Sequence, residues 1–339
     1  MPDSTQERLR FPPLEGLTLR GDVEGGALSS DFGPVRRRGV DRQIGLTQRL
    51  AAAFQEQRHP AYLLPPLQDW FAQRIYQIAG AYADSNHANV LRTDPVFKLG
   101  LERWPLDAAA DLASAPPVSR VENAATRQDL YRLAVAFVEQ FIARDAQPPA
   151  VIVLDVDHPE DEAHGQQELI FYHAHYQSHG SLPLFLFEGL SGKFITAALR
   201  PGKRPTGAEN AMSVTRGLQR LRAAGPDTPI ILRGDAPFAT PEVRQGVRAA
   251  PPADFSFGLS SNALLTPWVP PFLDATRRQH ESRGDNARRH YQPAPAITRP
   301  SHDLDYAAQT WPPRFRVVLK AEVTALVNYH RYGANRLSL

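Results

Sequence analysis

The stretch VIVLDVDHPEDEAHGQQE, residues 151–168, combines an apolar, β-branched run with two aspartates at its end. A continuous run of this kind is typical of a central strand that is buried on both faces. Asp155 and Asp157 are two residues apart, so on a strand their side chains share one face. They belong either to a catalytic metal site or to the polar end of a buried strand that turns into solvent.

The segments that follow this strand predict a mixed sheet. QELIFYHAHY (167–176) is predicted as a second strand, and SLPLFLFEGL (181–190) and FITAALRPG (194–202) as a strand pair. Next come helix NAMSVTRGLQRLRAAG (210–225), strand TPIILRGDAPF (228–238), helix TPEVRQGVRAA (240–250) and strand DFSFGL (254–259). Three strands with short antiparallel connections, then helix, strand, helix and strand, is the order of the ribonuclease H-like α/β fold.

That order predicts where the acidic residues lie. The first strand is central in this layout and the fourth lies parallel beside it, so acids that end these two strands converge at one edge of the sheet. Asp157 and Asp235 are therefore expected to meet there, with Asp155 as a neighbour. Carboxylate oxygens suit Mg²⁺, which keeps several waters. Two such ions about 4 Å apart can activate a water and stabilise the leaving oxygen of a phosphodiester.

The remainder of the chain predicts helices before the sheet and irregular segments at either end. Residues 1–40 show no sustained period, and 41–147 are mostly helical. The helix in PLQDWFAQRIYQIAGAYAD (66–84) has an apolar stripe at Leu67, Phe71, Ile75, Ile78 and Tyr82, and TRQDLYRLAVAFVEQFIARD (126–145) is a second helix. After the sheet domain, predicted over 148–325, residues 326–339 begin no complete element. A basic stretch at 275–300 is predicted to be an irregular insertion.

Composition limits the possible functions. The 339 residues carry a net charge of +2, 42% hydrophobic residues and no cysteine. The absence of cysteine excludes disulfides, thiolate zinc sites and cysteine nucleophiles. The first residues lack the apolar core of a signal peptide, and no apolar stretch is long enough to span a bilayer. These features predict a soluble intracellular protein with no membrane partner.

Several blocks of the sequence resemble one family. VLDVDHPEDEAHGQQE, YHAHYQSHGSLPLFLFEG, ILRGDAPFATPEV and DFSFGLSSNALL are similar to the DDE transposases of bacterial insertion sequences, specifically the thirteen-eighty family. The upstream blocks VDRQIGLTQRLAAAF and VSRVEN, and the late block RFRVVLKAEVT, are similar to it as well. The resemblance extends over roughly residues 18–325, with the blocks in the family's order.

The resemblance implies a ribonuclease H-like core that uses magnesium to cut and join transposon ends. The family's first catalytic acid falls on Asp157 and the second on Asp235, and the expected metal ligands are these two together with the neighbouring Asp155. The third is a glutamate on a later helix, in a segment that this chain lacks. Pro159 and the run Asp235-Ala236-Pro237 also depart from the family pattern. A C-terminally truncated or internally deleted transposase with defective catalysis is therefore expected. Glu322 lies in a predicted strand and Asp303 and Asp305 precede one, so none of these acids is expected to replace the third from a helix that faces the site.

The partners implied by the resemblance are double-stranded DNA at transposon ends and further copies of the chain, in a cytoplasmic, nucleoid-associated setting. The helical region 41–147 is the expected DNA-end-binding region. Arg277, Arg278, Arg288 and Arg289 either contact DNA phosphates or belong to a solvated loop. The cluster Arg36–Arg38 carries the same two interpretations.

Two alternatives remain at this point. One is an inactive remnant that binds DNA without catalysis. The other is a haloacid-dehalogenase-type phosphatase, in which Asp155 is the nucleophile and Asp157 the acid. That fold requires a parallel sheet with helices between its strands, whereas strands follow residues 151–157 directly in this prediction.

Overall fold

The computed structural model describes residues 9–10, 20–21, 32–57, 65–165, 167–260, 262–306, 315–324 and 336–338. The chain divides into two compact units, Met1–Arg144 and Asp145–Leu339. Within the described ranges, no helix combines the length and the apolar character needed to cross a membrane.

In the part of the first unit that the structure describes, the regular elements are helices and one short antiparallel strand pair, β1 (Leu9–Arg10) and β2 (Arg20–Gly21). Its helices are α1 (Gly33–Ile44), α2 (Leu46–Ala53), α3 (Leu67–Ala79), α4 (Ala88–Leu91), α5 (Pro95–Gly100), α6 (Ala115–Ala124) and α7 (Arg127–Ile142). Helix α1 begins inside the segment predicted to be irregular. Pro34 lies in its first turn, where the fixed φ of proline favours a helix start, and Gly45 ends it in the left-handed conformation.

Helix α3 forms where the sequence predicts it, but its buried face differs from the predicted stripe. Its buried residues are Trp70, Ala72, Gln73, Tyr76 and Gln77. Ile78, which belongs to the predicted apolar stripe, is 51% exposed. The reason is that the Gln73 amide donates to the Ala113 carbonyl at 2.7 Å and accepts from the Ala113 N–H at 3.0 Å. A polar residue therefore occupies the buried face, which hydrophobic periodicity does not reveal.

The second unit is a mixed α/β structure, as predicted. Its helices are α8 (Gly207–Ala224), α9 (Pro241–Arg248) and α10 (Val269–Arg289). Its first strands are β3 (Ile152–Asp157), β4 (Asp161–Glu162), β5 (Phe171–His173), β6 (Ser178–Ser181), β7 (Leu184–Glu188) and β8 (Lys193–Ala198). The later strands are β9 (Ile230–Gly234), β10 (Ala253–Leu259), β11 (Ile297–Thr298), β12 (Ser301–Tyr306), β13 (Phe315–Lys320), β14 (Val323–Thr324) and β15 (Arg336–Ser338).

Eight of these strands form one sheet in the order β12-β13-β15-β10-β9-β3-β7-β8. Strand β3 lies in its interior, antiparallel to β7 and parallel to β9, and β9 is parallel to β10. One face of these strands is apolar: Leu154 and Leu232 are fully buried, and Leu186 of β7 contacts α8 at Gly217. Side chains alternate along a strand, so the other face of β3 and β9 carries the polar residues Asp155, Asp157 and Arg233.

The segment predicted as the second strand of this sheet does not join it. Only Phe171–His173 is a strand, and it pairs with β6 in a separate three-stranded sheet of order β4-β6-β5. The chain reverses after His173, whose carbonyl accepts a 2.8 Å hydrogen bond from the N–H of Gln177, a residue with φ of 59°. This early turn leaves β7 as the antiparallel neighbour of β3.

The basic segment 275–300 was predicted to be irregular, and this prediction is wrong for residues up to 289. They belong to α10, a helix of 21 residues. Its buried residues are Val269, Thr276, Gly284 and Ala287, which share one side of the helix at spacings of 7, 8 and 3. Because small and polar residues make up most of this buried side, the apolar period is weak. At the start of α10, Val269 packs in a hydrophobic cluster with Leu265, Tyr306, Val317 and Leu319.

The last residues also contain an element that the sequence did not reveal. Strand β15 pairs antiparallel with β10 on one side and β13 on the other. Its backbone groups are satisfied by two neighbours that are remote in sequence, so local pattern does not specify it. Residues 326–335 and 339 of the predicted tail lie outside the described residues.

Candidate functional site

A pocket of about 800 Å³ opens at the carboxyl ends of three neighbouring parallel strands, β3, β9 and β10. Ligands of α/β sheets commonly bind in the crevice outside the carboxyl ends of the strands. Its polar lining side chains are Asp155, Asp157, Arg233, Asp235, Ser256 and Ser260. The pocket therefore contains all three aspartates that the sequence singled out.

Strand register brings Asp157 and Asp235 to neighbouring positions. In the parallel β3–β9 pair, Asp155 is opposite Arg233 and Val156 is opposite Gly234. The next step along both chains reaches Asp157 and Asp235, and neighbouring strands are about 4.8 Å apart. Both residues are exposed, and the Asp235 side chain does not cap the 3₁₀ turn Ala236–Phe238 that follows it. Two carboxylates thus face solvent at one edge of the sheet.

Asp155 is engaged differently from the other two acids. Its Oδ1 and Oδ2 accept hydrogen bonds from Nε and Nη2 of Arg233, each at 2.6 Å. This ion pair raises the pKa of Arg233. A Cβ at Gly189 would lie 2.5 Å from Asp155 Oδ2 and 2.6 Å from Arg233 Nη2, so a larger residue there would require the pair to shift. Both Asp155 oxygens are therefore occupied by a cation from the same chain.

Arg233 was missed by the sequence analysis, although a signal for it existed. It precedes Asp235 by two residues, so on a strand it shares the face of that acid. The same argument had placed Asp155 beside Asp157. Only the register of β3 against β9 shows that the arginine and Asp155 are directly opposite.

The donor set fits a hydrated magnesium ion held by two carboxylates, because Mg²⁺ commonly keeps several waters. Every Asp and Glu in residues 145–339 falls within the described ranges, and only Asp155, Asp157 and Asp235 line the pocket. No group of three potential ligands with metal-binding geometry exists in those ranges. Two acids considered as substitutes are paired elsewhere: Glu322 with Arg299 at 2.6 Å, and Asp303 with Arg316 at 2.9 Å.

The phosphatase alternative does not agree with this geometry. Strand β3 has an antiparallel neighbour in β7, with no helix between the two in sequence. Asp155, its required nucleophile, has both oxygens paired with Arg233. A carboxylate that is bonded through both oxygens is poorly placed to attack.

The four arginines that were predicted to bind DNA all lie on α10, where they form two pairs with different surroundings. Arg277 pairs with Asp274 at 3.2 Å and Arg288 with Asp285 at 3.6 Å. Arg278 and Arg289 line a hollow of about 500 Å³ on the exposed side of the helix, together with Arg283, Ser282, Asn286 and the two acids Glu281 and Asp285. Arg278 and Arg289 are 11 residues apart, about three helical turns, and therefore lie on one side.

The cluster Arg36–Arg38 is mainly structural. The Arg37 guanidinium donates to the carbonyls of Tyr76 and Ala79, and Arg38, 3% exposed, donates to the Leu99 carbonyl at 3.4 Å. Burial lowers the pKa of Arg38. Arg36 alone of the three has an exposed side chain.

One comparison with known proteins, a family model, matches most of the chain. The family model described as "Transposase DDE domain group 1" matches residues 11–335. No curated protein matches the chain. A solved structure, the cryo-EM structure of a piggyBac transposase synaptic complex with hairpin DNA, is similar at 12% identity and a TM-score of 0.38. That similarity covers 91% of this chain and 60% of the other, so the chain spans about three-fifths of that protein's length.

Proposed function

We propose a function from the following premise: the chain belongs to the Transposase DDE domain group 1 family. The proposed function is binding of transposon-end DNA and positioning of its phosphodiester at a divalent metal in the pocket of β3, β9 and β10. The observation that carries it is the convergence of Asp157 and Asp235 at the ends of two adjacent parallel strands. The finer assignments, a ribonuclease H-like core and the thirteen-eighty insertion-sequence family, are part of this proposal.

Asp157 and Asp235 are the residues that would hold the ion. When bound, magnesium supplies a Lewis acid that polarises a phosphoryl oxygen and lowers the pKa of a coordinated water. Asp157 Oδ1 accepts a 2.7 Å hydrogen bond from the His158 N–H, which orients the carboxylate and leaves Oδ2 for a ligand. Arg233 neutralises Asp155, so the pocket presents two uncompensated negative charges rather than three.

Asp155 is assigned to positioning in this scheme, although the sequence had named it as a metal ligand beside Asp157 and Asp235. Its two oxygens are satisfied by Arg233, and a guanidinium–carboxylate pair with two parallel hydrogen bonds is among the stronger polar contacts. The arginine remains 48% exposed within the pocket lining, which lets it face an approaching phosphate.

Catalysis by the 339 residues is proposed to be defective. The pocket receives only two carboxylates that are not already paired, and every other acid of residues 145–339 lies outside its lining. An ion with two protein ligands is held weakly and positioned loosely, and both reduce phosphoryl transfer. DNA binding does not depend on the missing ligand, so an end-binding protein without efficient cleavage is the expected behaviour.

The central test is metal binding by the full chain. Asp157→Asn and Asp235→Asn each remove one of the two charged ligands, and each is expected to weaken Mn²⁺ binding by more than the roughly tenfold typical of residues that only orient a ligand. Asp254→Asn is the matched control: this exposed aspartate lies on β10 but does not line the pocket. Isothermal titration with Mn²⁺ reports the affinity, and unchanged binding in both pocket variants would refute the site.

A second measurement addresses the catalytic defect. Duplex DNA carrying a transposon end is incubated with the chain and Mg²⁺, and strand cleavage is followed on denaturing gels. We expect no product above the level of Asp157→Asn. Cleavage by the unaltered chain that disappears in Asp157→Asn would leave the metal site standing and overturn the proposed defect.

DNA contact by α10 is tested through the salt dependence of binding. Arg278→Ala with Arg289→Ala is expected to lower the slope of log K against log salt by about 2, since each phosphate contact contributes about 0.9. Arg277→Ala with Arg288→Ala removes two arginines that already pair with acids of the same helix, and it is expected to have a smaller effect. Fluorescence anisotropy across a salt series measures both slopes, and equal slopes would exclude α10 from the interface.

A further inference from the structure

Four segments around the pocket meet at one side chain, that of His158. Its Nε2 lies 2.9 Å from Asn210 Oδ1 in the first turns of α8, and its Nδ1 lies 3.3 Å from the Pro183 carbonyl at the entrance to β7. Its ring stacks on Phe238 with centroids 4.9 Å apart and an interplanar angle of 8°. His158 directly follows Asp157, whereas Phe238 belongs to the turn that directly follows Asp235.

The two hydrogen bonds of Asn210 have a defined direction. Asn210 Nδ2 donates to the Pro237 carbonyl at 3.3 Å, so Asn210 Oδ1 faces His158 as an acceptor. His158 Nε2 must therefore carry the proton in this contact. Asn210 is fully buried, and a buried amide is costly unless its polar atoms are bonded. The amide thus links the loop after β3 to the turn after β9.

Packing reinforces the same link. Phe238 is 1% exposed. A Cβ added at Gly234 would lie 2.8 Å from Val156 Cγ1 and 3.0 Å from Phe238 Cδ2. The phenyl ring therefore fills the space between the end of β9 and the His158 ring. The Phe238 N–H also donates to the Asp235 carbonyl at 3.0 Å, so the position of Phe238 and the backbone of Asp235 are coupled.

We propose that His158 and Asn210 are positioning residues, which hold the Asp157 loop and the Asp235 turn at the separation that a shared divalent ion requires. This inference rests on the proposed metal site. Neither residue lines the pocket, so neither touches the ion. Asp157 directly precedes His158, and Asp235 lies three residues before Phe238, so each carboxylate is close in sequence to a residue of this contact set. The strands themselves end at Asp157 and Gly234.

The test measures Mn²⁺ affinity and thermal stability on the full chain. His158→Ala removes both the ring stack and the Asn210 contact and is expected to weaken Mn²⁺ binding about tenfold, the size typical for residues that orient metal ligands. His158→Gln keeps an amide donor toward Asn210 and is expected to recover most of that affinity. Should His158→Ala fail to fold, Asn210→Ser gives the same comparison from the other side of the hydrogen bond.

A stability control separates positioning from general destabilisation. Leu221→Ala shortens a residue that is 2% exposed in the last turn of α8, 11 residues beyond Asn210. It is expected to lower the thermal midpoint while leaving Mn²⁺ affinity unchanged. Wild-type affinity in His158→Ala, or an equal loss in Leu221→Ala, would overturn the inference. If the unaltered chain does not bind Mn²⁺, or Asp157→Asn binds it equally well, the proposed metal site itself has failed.

Discussion

Two carboxylates, Asp129 in the helical unit and Asp157 in the sheet unit, show opposite uses of the same functional group. Asp129 is fully buried at the start of α7 and accepts hydrogen bonds from Thr126, Gln55 and Arg132. Asp157 is exposed, and its side chain accepts one hydrogen bond, from the next residue. A carboxylate whose oxygens are satisfied internally stabilises the fold, whereas one left open at a strand end is available to a ligand.

The buried carboxylate joins two helices. Thr126 and Asp129 form a capping box on α7, and the Gln55 N–H just beyond α2 donates to Asp129 Oδ1 at 3.1 Å. These bonds lower the pKa of Asp129 to about 2, with the Thr126 hydroxyl contributing most. Among the described residues, no comparable set of donors surrounds Asp157 or Asp235.

The largest expected change in the free energy of unfolding follows removal of the buried carboxylate. Asp129→Ala leaves the Gln55 N–H and the Arg132 guanidinium without their partner, and we expect it to destabilise the helical unit by about 3 kcal/mol. Asp157→Ala removes an exposed group and is expected to change stability by no more than about 0.5 kcal/mol. Urea unfolding followed by circular dichroism compares the two, and equal losses would remove the distinction.

An intermediate effect is expected from acidification. Because the folded-state pKa of Asp129 lies below that of an unfolded aspartate, about 3.9, its contribution to stability is complete above that value. The contribution is lost as the pH falls from about 4 toward about 2. Asp129→Asn cannot titrate, so its stability is expected to depend less steeply on pH in this window. Parallel pH profiles of thermal unfolding for the two proteins measure the difference.

The smallest expected effect concerns Asp155, which lies between the two extremes. It is fully paired with Arg233, yet its side chain is 38% exposed, and exposed ion pairs contribute about 0–1 kcal/mol. Asp155→Asn is therefore expected to cost less than about 1 kcal/mol in urea unfolding. A loss as large as that of Asp129→Ala would show that the pair belongs with the structural carboxylates.

The local sequence pattern was sufficient to predict several secondary-structure elements. The apolar run at 152–157 is a strand, α8 ends before Gly225, and Thr240 caps α9 with Pro241 in the first turn. Each is specified by residues that are adjacent in sequence: β-branched side chains, a glycine past a helix end, and a hydroxyl before a proline. Such signals act within a few residues, so they are visible without the tertiary structure.

The failures also have a physical cause. Helix α10 buries threonine, glycine and alanine, and α3 buries Gln73, so the buried side of neither helix is a purely apolar stripe. Strand β15 is fixed by partners far away in sequence. In each case contacts with remote segments outweigh local hydrophobicity.

The sequence by itself determined that Asp157 and Asp235 end two apolar strands, and that the chain resembles the transposase family to which it belongs. Only the tertiary structure decided that Arg233 is bonded to Asp155, because that contact depends on the register of two strands 78 residues apart. It also decided that His158 and Asn210 connect the two acid-bearing segments. Residue type and spacing set which groups a strand end offers, whereas pairing and packing set which of them remain open.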